Sequence, residues 1–410
     1  MKRFKTILSE AKLTHLEHIE DAIFDDGYAG GVEALKMLNN IAKVLKGSAN
    51  KAVDITVKVD GAPAVIAGTN PENGKFFVAT KALFNKTPKI NYTKKDIADN
   101  HGSGGLADKL NAALTYLPKV WPKGLILQGD FMFTPDDLKT ATIDDEDYTT
   151  FTPNTITYAV PKNSPLDKTI QAAKVGVIFH TTYTGDTIAD LSANLRVNIN
   201  ALRKNKTVWY SDSDFNDVSG KATLTTDEYD SIVTALNDAK TKLRGLDKNS
   251  LKYLFQSDDN ITLLTKTWIN SLVREGKRFR GRQQAVADFI DWLRSRAKAE
   301  ASKLKTAKGQ EGKLKAMEEL IDKVRKTRNM AGTLAYALDW HDDVSTIKKV
   351  IVKKMEQVNT IPAFVKTATG YKVTGPEGFV AIDKLSNKSV KLVDRMEFSR
   401  QNFNAVKSWG

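Results

Sequence analysis

Residues 55–68 read ITVKVDGAPAVIAG, and this stretch decides how the chain begins its β-rich part. Ile55, Val57 and Val59 alternate with Thr56 and Lys58 ahead of an Asp-Gly pair, and a second apolar run follows. This pattern predicts two strands joined by a tight turn, the first of which carries one lysine up to the turn. Lys58 either points into water from an ordinary hairpin or is a nucleophile that becomes covalently joined to a nucleotide.

The spacing of apolar residues divides the rest of the chain into helical and β-rich parts. Apolar residues three and four apart predict helices up to about residue 48 and again from about Thr226 to Gln357. From Val53, and again after the second helical part, short apolar runs bounded by glycine, proline, asparagine or aspartate predict strands, interrupted by one helix at about Leu106 to Tyr116. Residues 195–225 are polar and favour neither. We therefore expect an α+β protein in which a helical block of about 130 residues is inserted within an antiparallel β-rich domain.

The composition excludes several kinds of site and favours a polyanionic partner. The chain has no cysteine, which excludes disulfides, zinc–thiolate sites and thiol nucleophiles and fits a cytoplasmic protein. No apolar run approaches the ~18 residues of a transmembrane helix, so we expect no membrane partner. Net charge is +13, and residues 251–330 hold 19 Lys and Arg against 10 Asp and Glu. This concentration of positive charge predicts a nucleic-acid partner, with a generally basic soluble protein as the alternative.

A series of short motifs follows Lys58 in order. The K-x-D-G sequence of residues 58–61 is weak evidence of a function by itself. Downstream runs on predicted strands supply further charged and aromatic residues: ATKALF with Lys81, LQGDFMF with Asp130, VGVIFHTTY with Phe179 and His180, GPEGFVAI with Glu377, and KSVKLVDR with Lys388 and Lys391. Together these motifs resemble those of the covalent nucleotidyltransferase superfamily, the ATP-dependent DNA and RNA ligases and mRNA capping enzymes. The resemblance covers residues 55–200 and 360–398 and leaves out the helical block.

The resemblance implies an antiparallel β-rich nucleotidyltransferase domain, ATP-grasp-like in the manner of ligase adenylation domains, with N-terminal helices and a large inserted α-helical domain. On that basis the chain divides into an N-terminal helical segment, the two parts of a nucleotidyltransferase domain, an inserted basic helical domain and a C-terminal helical tail. The boundaries are 1–50 for the first, 51–225 and 359–398 for the nucleotidyltransferase domain, 226–358 for the insert and 399–410 for the tail.

The resemblance also implies roles for individual residues. Lys58 is the expected nucleophile, with Lys391 and Lys388 as further catalytic lysines. The expected nucleotide-binding residues are Thr56, Asp60, Gly61, Lys81, Asp130, Phe179 and Glu377. Phe179 would stack on the purine, with plain core packing as the alternative. Asp130 and Glu377 are also the expected metal ligands.

The chemistry explains why these residue types belong together. A lysine attacks phosphorus only as the neutral amine, and an unperturbed lysine is almost wholly protonated at pH 7. Neighbouring cations favour the neutral amine and stabilise charge that develops on the α-phosphate of ATP. Pyrophosphate leaves with a divalent cation, Mg²⁺ or Mn²⁺, which prefers carboxylate oxygens. The expected activity is ATP-dependent joining of polynucleotide ends, DNA or RNA, through a covalent lysyl-AMP intermediate.

Several residues depart from the family pattern. Thr56 stands where DNA ligases often have glutamate, His180 where aspartate is frequent, and Asp130 where glutamate is usual. Lys391 lacks the second lysine of the usual K-x-K pair. Too little chain follows the last strand for the OB-fold of cellular ligases, which favours an RNA-ligase-like or minimal DNA ligase. A GTP-dependent capping guanylyltransferase and a non-catalytic nucleic-acid-binding or virion protein on the same scaffold remain alternatives.

Two basic runs in the inserted block are candidates for binding the nucleic-acid backbone. Each run suits phosphate neutralisation, with a solvated helix face as the alternative reading. Their basic residues are Arg274, Lys277, Arg278, Arg280 and Arg282 in the first, and Lys323, Arg325, Lys326 and Arg328 in the second.

The first eleven residues, MKRFKTILSEA, resemble the packaging leader of tailed-phage internal proteins, which ends in a Leu-x-Glu cleavage signal. Leu8-Ser9-Glu10 would be that signal, with an ordinary amphipathic start as the alternative. Such a leader implies a bacteriophage protein that is made in the host cytoplasm and packaged into the virion.

Overall fold

The computed structural model describes ten stretches of the chain. They are residues 16–47, 53–215, 222–255, 260–279, 281–326, 329–358, 363–367, 370–374, 377–383 and 389–396. The leader, the helical tail at 399–410 and the predictions made for Arg280, Arg328 and Lys388 lie outside the described residues.

The mixed α+β class is confirmed. The described residues contain eleven α-helices: α1 Ala22–Asp25, α2 Gly27–Leu45, α3 Lys94–His101, α4 Gly105–Tyr116, α5 Pro165–Ala172, α6 Thr226–Arg244, α7 Lys248–Phe255, α8 Ile261–Arg274, α9 Arg282–Ala301, α10 Ala307–Lys326 and α11 Met330–Met355. They also contain fourteen strands: β1 Val53–Lys58, β2 Ala64–Thr69, β3 Phe76–Ala79, β4 Ile126–Phe133, β5 Lys139–Ile143, β6 Glu146–Phe151, β7 Ile156–Pro161, β8 Val175–Thr184, β9 Ser192–Asn194, β10 Val208–Asp212, β11 Ala363–Thr367, β12 Gly370–Thr374, β13 Gly378–Asp383 and β14 Ser389–Leu392.

Strands β1, β13 and β14 form an antiparallel sheet, here called the lysine sheet because Lys58 and Lys391 lie on it. Strand period two puts the buried side chains of Val53 and Ile55 on one face of β1. Thr56 and Lys58 lie on the other face, which lines a cleft. The alternation in residues 53–58 thus places Val53 and Ile55 in the core and Thr56 and Lys58 on the wall of the cleft.

The central sheet has the strand order β10-β8-β4-β2-β3, with β9 paired to β8. Its pairs are antiparallel, as expected for an antiparallel β-rich domain, except β8 with β10, which is parallel. A parallel pair needs a long crossover, and the segment between residues 185 and 207 provides it. The turn after Lys58 closes onto β4, where the Ala62 N–H donates to the Phe131 carbonyl at 3.0 Å.

The third sheet, of order β12-β11-β7-β6-β5, is antiparallel throughout. Strand β11 follows the helical block and pairs with β7, which precedes it. Strand β13 likewise returns to pair with β1. The chain on either side of the helical block therefore builds the same two sheets.

The helical block, the N-terminal helix α2 and the back of the lysine sheet share one hydrophobic core. Leu38, Trp268, Phe289, Trp340 and Phe379 are each at most 1% exposed within it. The segments treated as separate units at 1–50 and 226–358 therefore pack together, because the apolar stripe of α2 is covered by helices of the block. Among the helices of the described residues, none has both the length and the apolar character needed to cross a bilayer.

Buried ion pairs connect the N-terminal segment to the last helix and to the chain after β14. Lys348 of α11 donates to Glu20 at 2.6 Å, and His341 of α11 lies 3.1 Å from Asp21. Arg395 also donates to Asp21. Burial alone would raise the pKa of Asp21, but the Arg395 guanidinium and His341 outweigh it and hold that pKa well below its usual range. These pairs fix residues 16–21 beside the lysine sheet.

Candidate active site

A cleft of about 510 Å³ opens between the lysine sheet and the central sheet. Its volume lies within the 300–1,000 Å³ that is typical of small-molecule sites. Both sheets and the N-terminal segment line it. The polar side chains on its wall are Thr56, Lys58, Lys81, Gln128, Asp130, His180, Thr181, Tyr183, Ser213 and Lys391.

Lys58 is held at the edge of the cleft by Glu377, to which its ammonium donates a hydrogen bond. Lys58 is the last residue of β1 and faces Gly378, the first residue of β13. Gly378 has a φ of +147°, and a Cβ there would lie 2.6 Å from the Leu392 carbonyl oxygen, so glycine is required. Burial raises the pKa of Glu377 although Lys58 opposes the shift.

Thr56, Val380 and Lys391 form a row across the three strands of the lysine sheet. Thr56 pairs with Val380, which pairs with Lys391. All three line the cleft. The Lys391 N–H donates to the Glu17 carbonyl at 2.8 Å, so the N-terminal segment fixes this strand from outside. Burial, and then the charge of Lys58, lowers the pKa of Lys391.

Asp130 lies on β4 across the cleft, 3.8 Å from the Nε2 atom of His180. Burial raises the pKa of Asp130 to about 7, with Lys58 and Lys81 opposing and Asp60 assisting. Burial, together with Lys58 and Lys81, lowers the pKa of His180 to about 4, so this ring is neutral at pH 7. The cleft therefore holds a carboxyl group with a raised pKa beside an imidazole that is uncharged at neutral pH.

Lys81 lines the cleft from a short helix rather than from the predicted strand. Strand β3 ends at Ala79, and a 3₁₀-helix over Lys81–Phe84 begins with Lys81. Thr80 caps this turn by accepting from the Ala82 N–H at 3.2 Å. The backbone of Lys81 is therefore helical and not extended, and its side chain still lines the cleft.

Asp60 lies next to the site, but its carboxylate serves the fold. Its oxygens accept from the Asn154 side chain at 2.6 Å and from the N–H groups of Thr155 and Ile156 at 2.7 Å each. Asp60 is 4% exposed. This predicted nucleotide-binding residue therefore holds the loop before β7 instead of presenting free oxygens.

Phe179 packs in the core, which is the alternative reading of this residue. It is fully buried, with its ring 5.5 Å from that of Trp121, and it does not line the cleft. A β-bulge explains the change of side, because Gln128 pairs with Thr181 while Gly129 pairs with Phe179, which leaves His180 as the extra residue. His180, the neighbouring residue, lines the cleft in its place.

Sequence reasoning missed several polar residues of the wall, chiefly Gln128, Thr181, Tyr183 and Ser213. Tyr183 donates to the Gln128 side-chain oxygen at 2.7 Å, so these two residues form a buried pair. Gln128 lies two residues before Asp130 on one strand, and this spacing was a signal that both share a face. Ser213 carried no such signal, because it follows the parallel edge strand β10.

The predicted metal ligands, Asp130 and Glu377, suit a metal ion that enters the cleft bound to phosphate oxygens better than an ion held by protein side chains alone. No cluster of three His, Asp or Glu side chains suited to a metal occurs within the ten described stretches. Asp130 and Glu377 provide two carboxylates, of which Glu377 already pairs with Lys58. Mg²⁺ commonly takes one or two protein carboxylates and completes its shell with phosphate oxygens and water. Asp130 and Glu377 therefore supply enough carboxylate oxygens for Mg²⁺ that is bound mainly by phosphate and water.

The described residues of the two basic runs do not line the cleft, and they lie at or between the ends of helices. Arg274 ends α8 and Arg282 begins α9, with Lys277 and Arg278 exposed between them. Lys323, Arg325 and Lys326 belong to the last turn of α10.

The chain belongs to a family of unknown function, DUF6267, whose family model matches residues 13–407. No curated protein and no solved structure matches the chain significantly.

Proposed function

We propose that this DUF6267 member is an ATP-dependent polynucleotide ligase with a nucleotidyltransferase fold, acting through a covalent lysyl-AMP intermediate. The observation that supports the proposal is the convergence of Lys58, Lys391, Lys81 and Asp130 on one nucleotide-sized cleft, with Glu377 hydrogen-bonded to Lys58 at its edge. These residues come from parts of the chain up to 333 residues apart in number, between Lys58 and Lys391. Three cations and two carboxylates suit a polyphosphate that carries a divalent metal ion.

In the first step the Lys58 amine attacks the α-phosphorus of ATP. A nitrogen–phosphorus bond forms, the bond from the α-phosphorus to the bridging oxygen of the β-phosphate breaks, and pyrophosphate leaves. The ammonium must first lose a proton, and Glu377 is placed to take it because it accepts a hydrogen bond from Lys58 and has a raised pKa. Lys81 and Lys391 stabilise the charge that develops on the phosphate oxygens.

The remaining wall residues suit the nucleoside. The neutral ring of His180 offers the stacking surface foreseen for Phe179, and Asp130 is placed for a ribose hydroxyl or for Mg²⁺ held on the phosphates. When bound, the metal ion neutralises the leaving pyrophosphate. AMP then passes from Lys58 to the 5′-phosphate of a strand, and a 3′-hydroxyl displaces it to form the phosphodiester bond.

Incubation with α-³²P-labelled ATP and Mg²⁺, followed by a denaturing gel, tests the proposal. We expect wild type to carry label that acid releases and alkali does not, as for a phosphoramidate, and Lys58→Ala to carry none. Lys95→Ala, at an exposed lysine of α3 that does not line the cleft, is the matched control and should label like wild type. Equal labelling of wild type and Lys58→Ala would remove Lys58 as the nucleophile.

The same assay separates the alternatives. Labelling by GTP but not by ATP would replace the ligase with a capping guanylyltransferase, for which Thr56 in place of glutamate leaves room. Absence of an adduct with any of the four nucleotides would reduce the chain to a non-catalytic scaffold.

A further inference from the structure

Two basic segments that are distant in sequence meet at one end of the helical block. Helices α9 and α10 form an antiparallel hairpin, as the ion pairs Arg294–Glu318 at 2.8 Å and Glu300–Lys313 at 2.6 Å show. The segment before α9 and the segment after α10 therefore lie at the same end. Residues 274–282 and 322–329 together contain nine basic and two acidic residues. The basic residues of these two segments that the structure describes are here called the basic end: Arg274, Lys277, Arg278, Arg282, Lys323, Arg325 and Lys326.

Two exposed tyrosines accompany these cations. Tyr336 is 48% exposed, with the Arg282 guanidinium 4.6 Å from its ring centre. Tyr253 is 45% exposed, with the Lys323 ammonium 4.6 Å from its ring centre. Proteins that bind single strands combine a positive surface with exposed aromatic rings, because unpaired bases offer their faces for stacking and paired bases do not.

The acids near the basic end do not cancel its attraction for phosphate. Glu275 pairs with Lys277, Asp322 with Lys326 and Asp339 with Arg282. The lysines and the arginine in these pairs are between 41% and 74% exposed. Exposed pairs contribute little, so an arriving phosphate displaces them at small cost.

Part of the basic end lies beside the chain segment that follows β14. Lys277, Arg278 and Phe279 line a small pocket of about 50 Å³ together with Lys349 and Arg395 and with the carboxylates of Asp342 and Asp394. Arg395 follows Lys391 by four residues, which span at most about 14 Å of extended chain. This pocket therefore lies near the strand that carries Lys391.

We propose that the basic end binds a single-stranded nucleic-acid segment and leads it towards the cleft. The phosphates contact Arg278, Arg325 and Lys326, and unpaired bases stack on Tyr336 and Tyr253. The destination of the strand rests on the proposed ligase function, whereas the binding surface itself does not.

Fluorescence anisotropy with labelled 12-nucleotide DNA and RNA single strands, and with the matching duplexes, tests the surface over a range of salt concentrations. The triple variant Arg278→Ala/Arg325→Ala/Lys326→Ala should bind single strands more weakly and lower the salt slope by up to about 2, since each phosphate contact contributes about 0.7. The matched control, Lys303→Ala/Lys305→Ala/Lys308→Ala, removes three exposed lysines at the opposite end of the same hairpin and should bind like wild type.

Tyr336 supplies the second arm of the test. Tyr336→Ala should weaken single-strand binding about fivefold or more, and Tyr336→Phe should restore it because the ring is kept. Equal losses from both triple variants, tighter binding of duplex than of single strand, or an unchanged Tyr336→Ala would each overturn the proposal. Preference for DNA over RNA, or the reverse, identifies the source of the strand. A persistent difference between the triple variants, in a protein that forms no lysyl adduct, would retain the surface while the ligase function falls.

Discussion

Asp130 lies directly against Gly61: a Cβ on this glycine would stand 2.5 Å from the Cβ of Asp130 and 3.2 Å from its carbonyl carbon. The turn after Lys58 thus rests on the strand that carries the cleft carboxyl group. Since the Cβ of Asp130 is next to its backbone, it cannot move aside as a side-chain tip would. The glycine of the K-x-D-G sequence is required by this close approach.

Gly61→Ala should therefore destabilise the fold and displace Asp130. Overpacking of this kind costs about 1–3 kcal/mol. The free energy of unfolding in urea measures it. Gly312→Ala is the matched control, because a Cβ on this exposed glycine within α10 meets nothing within 4 Å. It should stabilise the protein by about 0.5–1 kcal/mol. A Gly61→Ala protein as stable as wild type would show that the turn does not rest on β4.

The raised pKa of Asp130 makes stability depend on pH. The folded-state pKa is about 7 and the unfolded value about 3.9. Between these values the folded state holds a proton that the unfolded state has lost, so the contribution of Asp130 to stability falls as pH rises. Asp130→Asn removes this slope, so the variant should be the more stable protein above pH 7, by at most about 4 kcal/mol.

Denaturation in urea at pH 4 to 8 measures the difference between wild type and Asp130→Asn. We expect the two curves to converge near pH 4 and to separate up to pH 7. Asp186→Asn, in an exposed loop, is the control and should follow wild type at every pH. A constant difference between wild type and Asp130→Asn across the range would show that Asp130 ionises normally, despite its place between Lys58, Lys81, Asp60 and His180.

Much of the fold could be predicted because its buried strands carry unambiguous patterns. The apolar runs around Val65, Leu127 and Val177 all form strands of the central sheet. The β5–β6 hairpin was missed because most of β5 and the first residues of β6 are exposed and polar, and because its turn uses Asp144 and Asp145 at positive φ instead of an Asn-Gly pair. Exposed strands have no apolar alternation to detect.

The site was less predictable where local geometry departs from period two. Phe179 and His180 occupy neighbouring positions, and only the bulge opposite Gly129 decides which of them faces the cleft. Asp60 was assigned to the nucleotide because nothing in the sequence shows that the loop at residues 154–156 would take both its oxygens. Hydrogen bonds of this kind, between residues far apart in the sequence, form only when the sheets assemble.

The buried pair of Glu20 and Lys348 should prove strongly coupled. Both side chains are at most 1% exposed, and they join the N-terminal segment to α11. Lys348→Met leaves the Glu20 carboxylate buried without this partner, which typically costs about 3–5 kcal/mol. Glu20→Gln/Lys348→Met removes both charges and should recover much of that loss. A double-mutant cycle in urea measures the coupling.

Lys95 and Asp99 provide the matched control for this cycle, because they form a pair of similar length, 2.5 Å, on an exposed face of α3. Their cycle should show no measurable coupling, since water screens both charges. If the coupling of Glu20 to Lys348 were equally small, the buried pairs would not be what fixes residues 16–21. The N-terminal segment would then depend on Ile19 and its apolar neighbours for its place beside Lys391.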